Sequence, residues 1–316
     1  MPELPEVEIL ARHLAPLLKG RMVRRVEIRR PKVIAPTSEA ELSATLSGAR
    51  FIDLARRGKY LLFTLTKSRS QPPIKLVGHL GMTGRMFLAT KRSALPRHVA
   101  VLLDLGRHNF VFEDTRYFGR FTLDAGGPAK LGPEPLSEEF TPEYMEQSLR
   151  NSSQSIKVKL LDQRLVAGVG NIYASEALFR AGIPPRFAAR RLTRSQIGRM
   201  WQGIRDVLSE AIRLGSSMAL NFDGRGERDG LFYHGSAAGA ASDVENRFMV
   251  YDRAGEPCFR CGTVIKRVVQ AGRSTFYCPG FCGGTKDGTD SPQRPAGAGT
   301  SWENAEREKS KIARLV

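Results

Sequence analysis

Two places in this chain hold residues whose types and spacing point to chemistry. Near the C-terminus, Cys258-Phe-Arg-Cys261 is followed, after sixteen residues, by Cys278-Pro-Gly-Phe-Cys282. Each short knuckle offers two sulfurs to one ion, so Cys258, Cys261, Cys278 and Cys282 suit a tetrahedral zinc ribbon. Four thiolates leave no open coordination position, so such an ion is structural. The second place is the opening Met1-Pro-Glu-Leu-Pro-Glu-Val-Glu8. Pro5, Glu6 and Glu8 suit a helix start, where proline is preorganised and carboxylates face the positive dipole end. Pro2 and Glu3 precede the apolar period Val7, Leu10, Leu14, Leu17 and are left without a helical reason. Weaker signals lie between. Leu165-Val-Ala-Gly-Val-Gly-Asn171 leads two glycines into a helix, which suits either an anion at the helix N-terminus or an ordinary Asn cap. Arg56-Arg-Gly-Lys59, Gly78-His-Leu-Gly-Met-Thr-Gly84 and Asp114-Thr-Arg-Tyr-Phe-Gly119 are glycine turns bearing cations and aromatics.

These residues need elements to position them. The 316 residues are 41% hydrophobic, enough for two or three modules. Lysine and arginine number 49 against 32 acids, a formal +17 that favours a polyanion partner, nucleic acid ahead of an anionic membrane surface. No apolar run has the length of a spanning helix, and cysteines confined to one short segment fit a reducing compartment. Strands are predicted around 23–28, 51–54, 60–65, 74–80, 99–105 and 110–113, with a tight hairpin at Leu105-Gly-Arg-His108. Residues 1–125 therefore read as a β-sandwich or barrel with an N-terminal helix, and 126–140 as a linker. Helices follow, one capped at Thr141-Pro142 and one opened by the capping box Thr193-Arg-Ser-Gln196. The latter places Ile197, Met200, Trp201, Ile204, Val207, Leu208 and Ala211 on one core face. Residues 221–246 form a long glycine-rich loop. A ribbon at 247–284 holds a hairpin turning near Ala271-Gly272, and 285–316 is a tail too polar to bury a core.

Taken in order, "PELPEVE", "RRGKYLLF", "HLGMTGR", "DTRYFG", "LDQRLVAGVGNIYASEALF", "VYDRAGEPC" and "GRSTFYC" resemble the formamidopyrimidine-DNA glycosylase family that includes endonuclease VIII, over roughly residues 2 to 282. The resemblance implies an α+β fold: a two-layer β-sandwich with an N-terminal helix, a helix-two-turn-helix domain over 141–246 and a C-terminal zinc ribbon. It implies a bifunctional glycosylase and abasic-site lyase for oxidised purines, a cytoplasmic monomer that clamps damaged double-stranded DNA without a membrane. Pro2, freed of Met1, would be the nucleophile, Glu3 the acid and base, and Glu6 the residue holding them. Lys59 and Arg273 would complete the catalytic set as phosphate grips, with His79, Asn171, Arg116 and Lys157 contacting DNA. Met82, Arg116 and Phe118 would fill the gap left by a flipped base. The 221–246 loop, with Arg225 and Arg228, would read that base.

Three features depart from the family pattern. The last knuckle is Cys-x3-Cys where Cys-x2-Cys is usual, with Pro279-Gly280 expected to bulge outward and Gly283 in place of a glutamine. The 221–246 loop does not match the purine pattern, and the tail has no counterpart. The competing readings are an endonuclease VIII-like preference for oxidised pyrimidines and a non-catalytic zinc-containing DNA binder. A pure binder has no use for a secondary amine beside a carboxylate.

Overall fold

The computed structural model describes residues 2–68, 70–216 and 248–283. The 221–246 loop, with Arg225 and Arg228, and the 285–316 tail lie outside the described residues.

Helix α1 (Leu4–Leu18) begins where Pro5 fits the first turn, and it buries Val7, Leu10, Leu14 and Leu18 along one side. It packs on a sandwich of two four-stranded antiparallel sheets. One sheet runs β1 (Arg25–Ile28), β6 (Val99–Asp104), β7 (His108–Asp114), β5 (Gly84–Thr90). The other runs β2 (Arg50–Arg57), β3 (Tyr60–Thr66), β4 (Ile74–His79), β8 (Arg120–Thr122). Their inner faces meet in an aromatic cluster of Phe63, Phe110, Phe112 and Phe121, with ring centroids 5.7–6.0 Å apart.

Strands β5 and β8 and helix α2 (Glu39–Leu46) were not expected from the sequence. Strand β5 is buried on both faces: Met86 and Leu88 point into the main core while Phe87 and Ala89 join a satellite cluster with Val99, Leu102 and Val111. It therefore lacks the alternation that marks a half-buried strand. Strand β8 has only three residues, and α2 buries only Leu42 and Leu46, although Ser38 and Glu41 form a capping box.

Short helix α3 (Gly126–Ala129) interrupts the stretch read as linker. Beyond it, α4 (Pro142–Leu149) starts with Thr141 Oγ1 accepting from Tyr144 N at 3.1 Å, and α5 (Ile156–Leu160) and α6 (Asn171–Ala181) follow. Helix α7 (Arg194–Ser216) opens with the reciprocal Thr193–Gln196 bonds, 2.9 and 3.3 Å. Ile197, Met200, Ile204, Val207 and Leu208 of α7 are buried in a separate helical core. Leu4, at the start of α1, belongs to that core and not to the sandwich, so the chain's first residues are wedged between the two. The C-terminal hairpin is β9 (Lys266–Gln270) and β10 (Arg273–Tyr277), turning at Ala271 and Gly272, both at positive φ, followed by α8 (Pro279–Gly283). Phe179 of α6 completes its small core. Among the described residues no helix is long and apolar enough to cross a membrane.

Candidate active site

Pro2 and Glu3 are buried where α1 meets α6. Leu4 N donates to Gly168 O at 3.1 Å, and Gly168, at φ +83, leaves no room for a Cβ against Leu4. The Glu3 carboxylate sits on the N-terminus of α6, accepting from Ile172 N (2.9 Å) and Tyr173 N (3.3 Å). A Cβ on Gly170 would overlap that carboxylate, which accounts for the second glycine of Gly168-Val-Gly170. The helix N-terminus expected to receive an external anion or an Asn cap thus receives the chain's own carboxylate, and the capping position is Gly170. Glu6 accepts from Glu3 N (2.9 Å) and from the Tyr173 hydroxyl (2.7 Å). Burial raises the pKa of both carboxyls above the ordinary carboxylate range; for Glu3 the Lys59 charge works against that rise, and Glu6 adds to it. Glu3 can therefore hold a proton at pH values where an exposed carboxyl has lost it.

Lys59 enters from the β2–β3 turn, whose Gly58 has φ +56. Burial lowers its pKa, opposed by Glu3 and Glu6. Among the described residues its ammonium has no hydrogen-bond partner, so its donors are available. The turn is held from the linker: Glu134 accepts from Arg56 (2.7 Å), Arg57 (2.9 Å) and Gly58 N (2.6 Å). Beside Lys59, His79 packs on Tyr60 at 4.8 Å between centroids, and its Nδ1 accepts from Gly81 N at 3.1 Å. Burial, then Lys59 and Arg120, lower its pKa to about 4, so at neutral pH it is an uncharged ring with its proton on Nε2.

Lys157 corrects an expectation. It was expected to contact DNA, but it is 1% exposed and its ammonium donates to Asn171 Oδ1 (2.8 Å), Thr275 Oγ1 (2.9 Å) and Ser274 O (3.0 Å). All three donors are used within the protein. Asn171 Nδ2 also donates to Ser274 O at 2.9 Å, so both side chains join α5 and α6 to β10; Lys157 is no phosphate donor, whereas that bond uses only one of the two Nδ2 hydrogens of half-buried Asn171. Burial lowers the Lys157 pKa to about 7. This junction fixes β10 next to exposed Arg273, whose charge reaches both Lys59 and Lys157. On the other side of α6, Glu176 accepts from Met249 N, Val250 N and Tyr251 N at 2.8–2.9 Å, holding the chain that leads into the hairpin.

Met82 and Phe118 are exposed, 41% and 48%, on neighbouring turns. Buried Asp114 ties the turns together: Oδ1 accepts from Thr83 Oγ1 (2.6 Å) and Arg116 N (3.1 Å), and Oδ2 from Gly119 N (2.8 Å). The Arg116 guanidinium lies 4.9 Å from the Phe118 centroid. Asp114, Tyr173, Glu134 and Glu176 were missed in the sequence. Each acts across more than seventy residues or across a turn, and only Asp114 carried a hint, as the acid opening its glycine turn.

The sulfurs of Cys258, Cys261 and Cys278 lie within 4.8 Å of one another, a donor set that fits zinc. Cys282, expected as fourth ligand, is buried in the same core but outside this group. Its backbone N donates to Cys278 O at 2.9 Å, a helical spacing that separates the two side chains by one turn. The expected outward bulge at Pro279-Gly280 is instead the first turn of α8. Gly280 is required because a Cβ would meet Thr263 and the Cys261 sulfur.

The chain matches the model of the formamidopyrimidine-DNA glycosylase N-terminal domain over residues 1–121, of the H2TH domain of that enzyme over 131–222, and of a zinc finger found in FPG and IleRS over 255–279. It is 43% identical to the formamidopyrimidine-DNA glycosylase of Symbiobacterium thermophilum, covering 88% of each chain, and 42% identical to that of Chloroflexus aurantiacus, covering 88% and 96%. Among solved structures it resembles Lactococcus lactis Fpg with an abasic site containing DNA (TM-score 0.76, 32% identity, 88% and 98% covered). It equally resembles MutM in complex with carbocyclic 8-oxo-G containing DNA (TM-score 0.76, 34% identity, 89% and 99% covered). The zinc-finger match and the three-sulfur group make the ribbon a structural zinc site.

Proposed function

The chain belongs to the formamidopyrimidine-DNA glycosylase family and is a DNA glycosylase of base excision repair, and from that premise we propose that it removes oxidised purines and then cleaves the abasic strand through Pro2. The observation that carries this reading is the Glu3 carboxylate, buried beside Pro2 and pinned to the α6 N-terminus with its pKa raised.

With Met1 removed, the Pro2 nitrogen is a secondary amine. The reference α-amino pKa is about 7.7 to 8.0, so free base is present at neutral pH. Its lone pair attacks C1′ of the damaged nucleotide, the glycosidic electron pair leaves with the base, and the N–H proton shed by the amine neutralises the departing base. Glu3 gives its proton to the ring oxygen as the sugar opens, leaving an iminium between Pro2 and C1′. That cation acidifies C2′, so loss of a C2′ proton expels the 3′ phosphate by β-elimination, and a second elimination expels the 5′ phosphate. Lys59 and Arg273 grip the flanking phosphates. Uncharged His79 offers Nε2–H as a donor, while Met82, Arg116 and Phe118 fill the vacated stack. Zinc, when bound by the cysteines, holds the hairpin bearing Arg273 and takes no part in the bond changes. All these residues come from one chain, which supports a monomer, acting in the cytoplasm wherever DNA is damaged.

The test is a panel of duplexes with single lesions, incubated with borohydride. A covalent adduct should form, most on oxidised purines, and disappear in Pro2→Gly or when Met1 is retained. Adduct formation by a Pro2-blocked protein would overturn the nucleophile. A preference for oxidised pyrimidines would move the enzyme to the endonuclease VIII-like reading.

A further inference from the structure

Three elements run from the Glu3 end of the sandwich to its opposite end. Helix α1 carries Glu3 before its first residue and Lys19 after its last; its 15 residues span about 22 Å. Strand β2 leads from Arg50 to the turn bearing Lys59, and β7 from His108 to Asp114; at about 3.3 Å per residue each covers 20 Å or more. The far ends of all three converge. Arg50 Nη1 donates to Gly20 O at 2.6 Å, and Val23 N donates to Ala49 O at 2.8 Å. Arg24 N donates to Asp104 O at 2.8 Å, and Arg21 Nη1 donates to His108 Nδ1 at 2.9 Å. The segment Lys19-Gly-Arg-Met-Val-Arg-Arg25 is thereby stitched to the first residue of β2 on one side and to the β6–β7 hairpin, with Arg107 at its tip, on the other.

The result is a contiguous cationic surface in which Lys19, Arg24, Arg25, Arg50 and Arg107 are exposed and Arg21 is half-buried. The carboxylate in its midst, Asp104, is cross-strand from Arg25 and already bonded by Lys91 at 2.8 Å and by Gly106 N. Farther along the strands, Glu27 is taken by Arg29 at 2.7 Å, and Asp53 lies three residues beyond Arg50. Salt screens charges over about 8 Å at physiological strength, so a surface about 20 Å from Lys59 neither steers nor holds the strand at the Glu3 end. The cations here need a different polyanion.

We propose that this far-end surface binds a second segment of duplex DNA while the first is held at the Glu3 end. The inference rests on the reading of the chain as a DNA-clamping enzyme. Duplex DNA is favoured over an acidic protein because the guanidiniums are spread over three chain segments, and the exposed large apolar side chains among them are only Met22 and Ile52. An evenly spaced row of phosphates matches that spread, whereas an acidic peptide docks through an apolar anchor as well. Holding two segments lets the enzyme pass from one to another without a free intermediate.

The experiment uses the full chain on an immobilised lesion duplex, with a fluorescent undamaged duplex added at a range of salt concentrations. The parent should capture the second duplex. Arg24→Glu/Arg25→Glu/Arg107→Glu should capture it at least tenfold less and lower the salt slope of capture by about 2 to 3 units, while staying on the first duplex and nicking it at the parental rate. Arg24→Gln/Arg25→Gln/Arg107→Gln, which keeps side-chain length, should give the same direction if the reversed charges disturb folding. Loss of protein from the first duplex would count against the clamp reading. Protein retained without capture, or capture undiminished in both variants, would overturn the second site. So would displacement of the captured duplex by a polyglutamate peptide at far lower charge concentration, which would assign the surface to an acidic protein.

Discussion

Gly170→Ala should displace Glu3, the proposed proton donor, and leave Pro2, the proposed nucleophile, in place, with neither residue substituted. The added Cβ would overlap the Glu3 carboxylate. Ordinarily the end of a flexible side chain moves aside at little cost, but this one is buried and held by Ile172 N at 2.9 Å and Tyr173 N at 3.3 Å. Moving it leaves at least the buried Ile172 N–H without its acceptor, a cost of about 1 to 3 kcal/mol. A loss of about 1 to 3 kcal/mol in positioning the donor corresponds to roughly 5- to 160-fold in the rate of base excision. Gly170 has extended backbone angles that alanine adopts, so the fold should survive with its melting temperature lowered by only a few degrees. Cleavage of a preformed abasic site begins from an open aldehyde and needs no departing base, so it should fall much less. The assay is single-turnover kinetics on a lesion duplex and on an abasic duplex, with Glu3→Gln alongside. Full excision activity in Gly170→Ala, or equal losses on both substrates, would refute the assignment of Glu3 as the donor held by α6.

Protonation of the Pro2 amine should slow both reactions at low pH, and the raised pKa of Glu3 adds a signature of its own: excision should also fall as pH rises through that pKa, whereas abasic-site cleavage should lack this falling limb. Rate profiles on the two substrates, compared with Glu3→Gln, check it; a shared falling limb would assign the titration elsewhere. Lys59→Ala and Arg273→Ala should each reduce the salt slope of binding by about 0.9 unit on every duplex alike, and a lesion-selective loss with unchanged slope would make them base readers. Metal analysis should find one zinc per chain, lost with weakened DNA binding in Cys258→Ser, Cys261→Ser or Cys278→Ser. Cys282→Ser should weaken zinc at least tenfold, and unchanged affinity would give the fourth coordination position to another group.

What was legible in the sequence followed from short-range physics. The period of Val7, Leu10 and Leu14 reports a helix against one core, and Thr193 and Gln196 report their own cap, because both partners lie within a turn. The β6–β7 hairpin showed through Gly106, and the β9–β10 hairpin through Ala271-Gly272. Strand β5 did not show, since burial on both faces erases alternation. At the site, Pro2 and Glu3 stood out because they precede the apolar period, although Glu3 also has a helical role that the sequence reading denied it: it is the N-cap of α1, in a capping box with Glu6. Lys157 was misjudged for the opposite reason: a lysine on a short helix reads as solvated, and nothing local records that Ser274 and Thr275, more than a hundred residues on, would use its donors. The second knuckle shows the same limit, because its spacing does not reveal that Pro279-Gly280, read as an outward bulge, winds into a helical turn.

The Glu3 junction explains why the proposed proton donor stands at the chain's start while the backbone groups that hold it belong to a helix beginning at Asn171. A carboxylate buried in the sandwich alone would need its own cation or donors, and one left exposed would ionise at ordinary pH. Here α1 supplies the carboxylate and α6 supplies the N–H groups, so the proton donor exists only when the sandwich and the helical unit are packed together. Glu134 applies the same logic to Lys59, since the linker between the two units is what holds the β2–β3 turn. Lys157 and Asn171 then tie the helical unit to the hairpin bearing Arg273. Glu3, Lys59 and Arg273 are thus each braced from a neighbouring unit, whereas Arg116 is held within the sandwich by Asp114, so the first three are positioned only where the three units pack on one another.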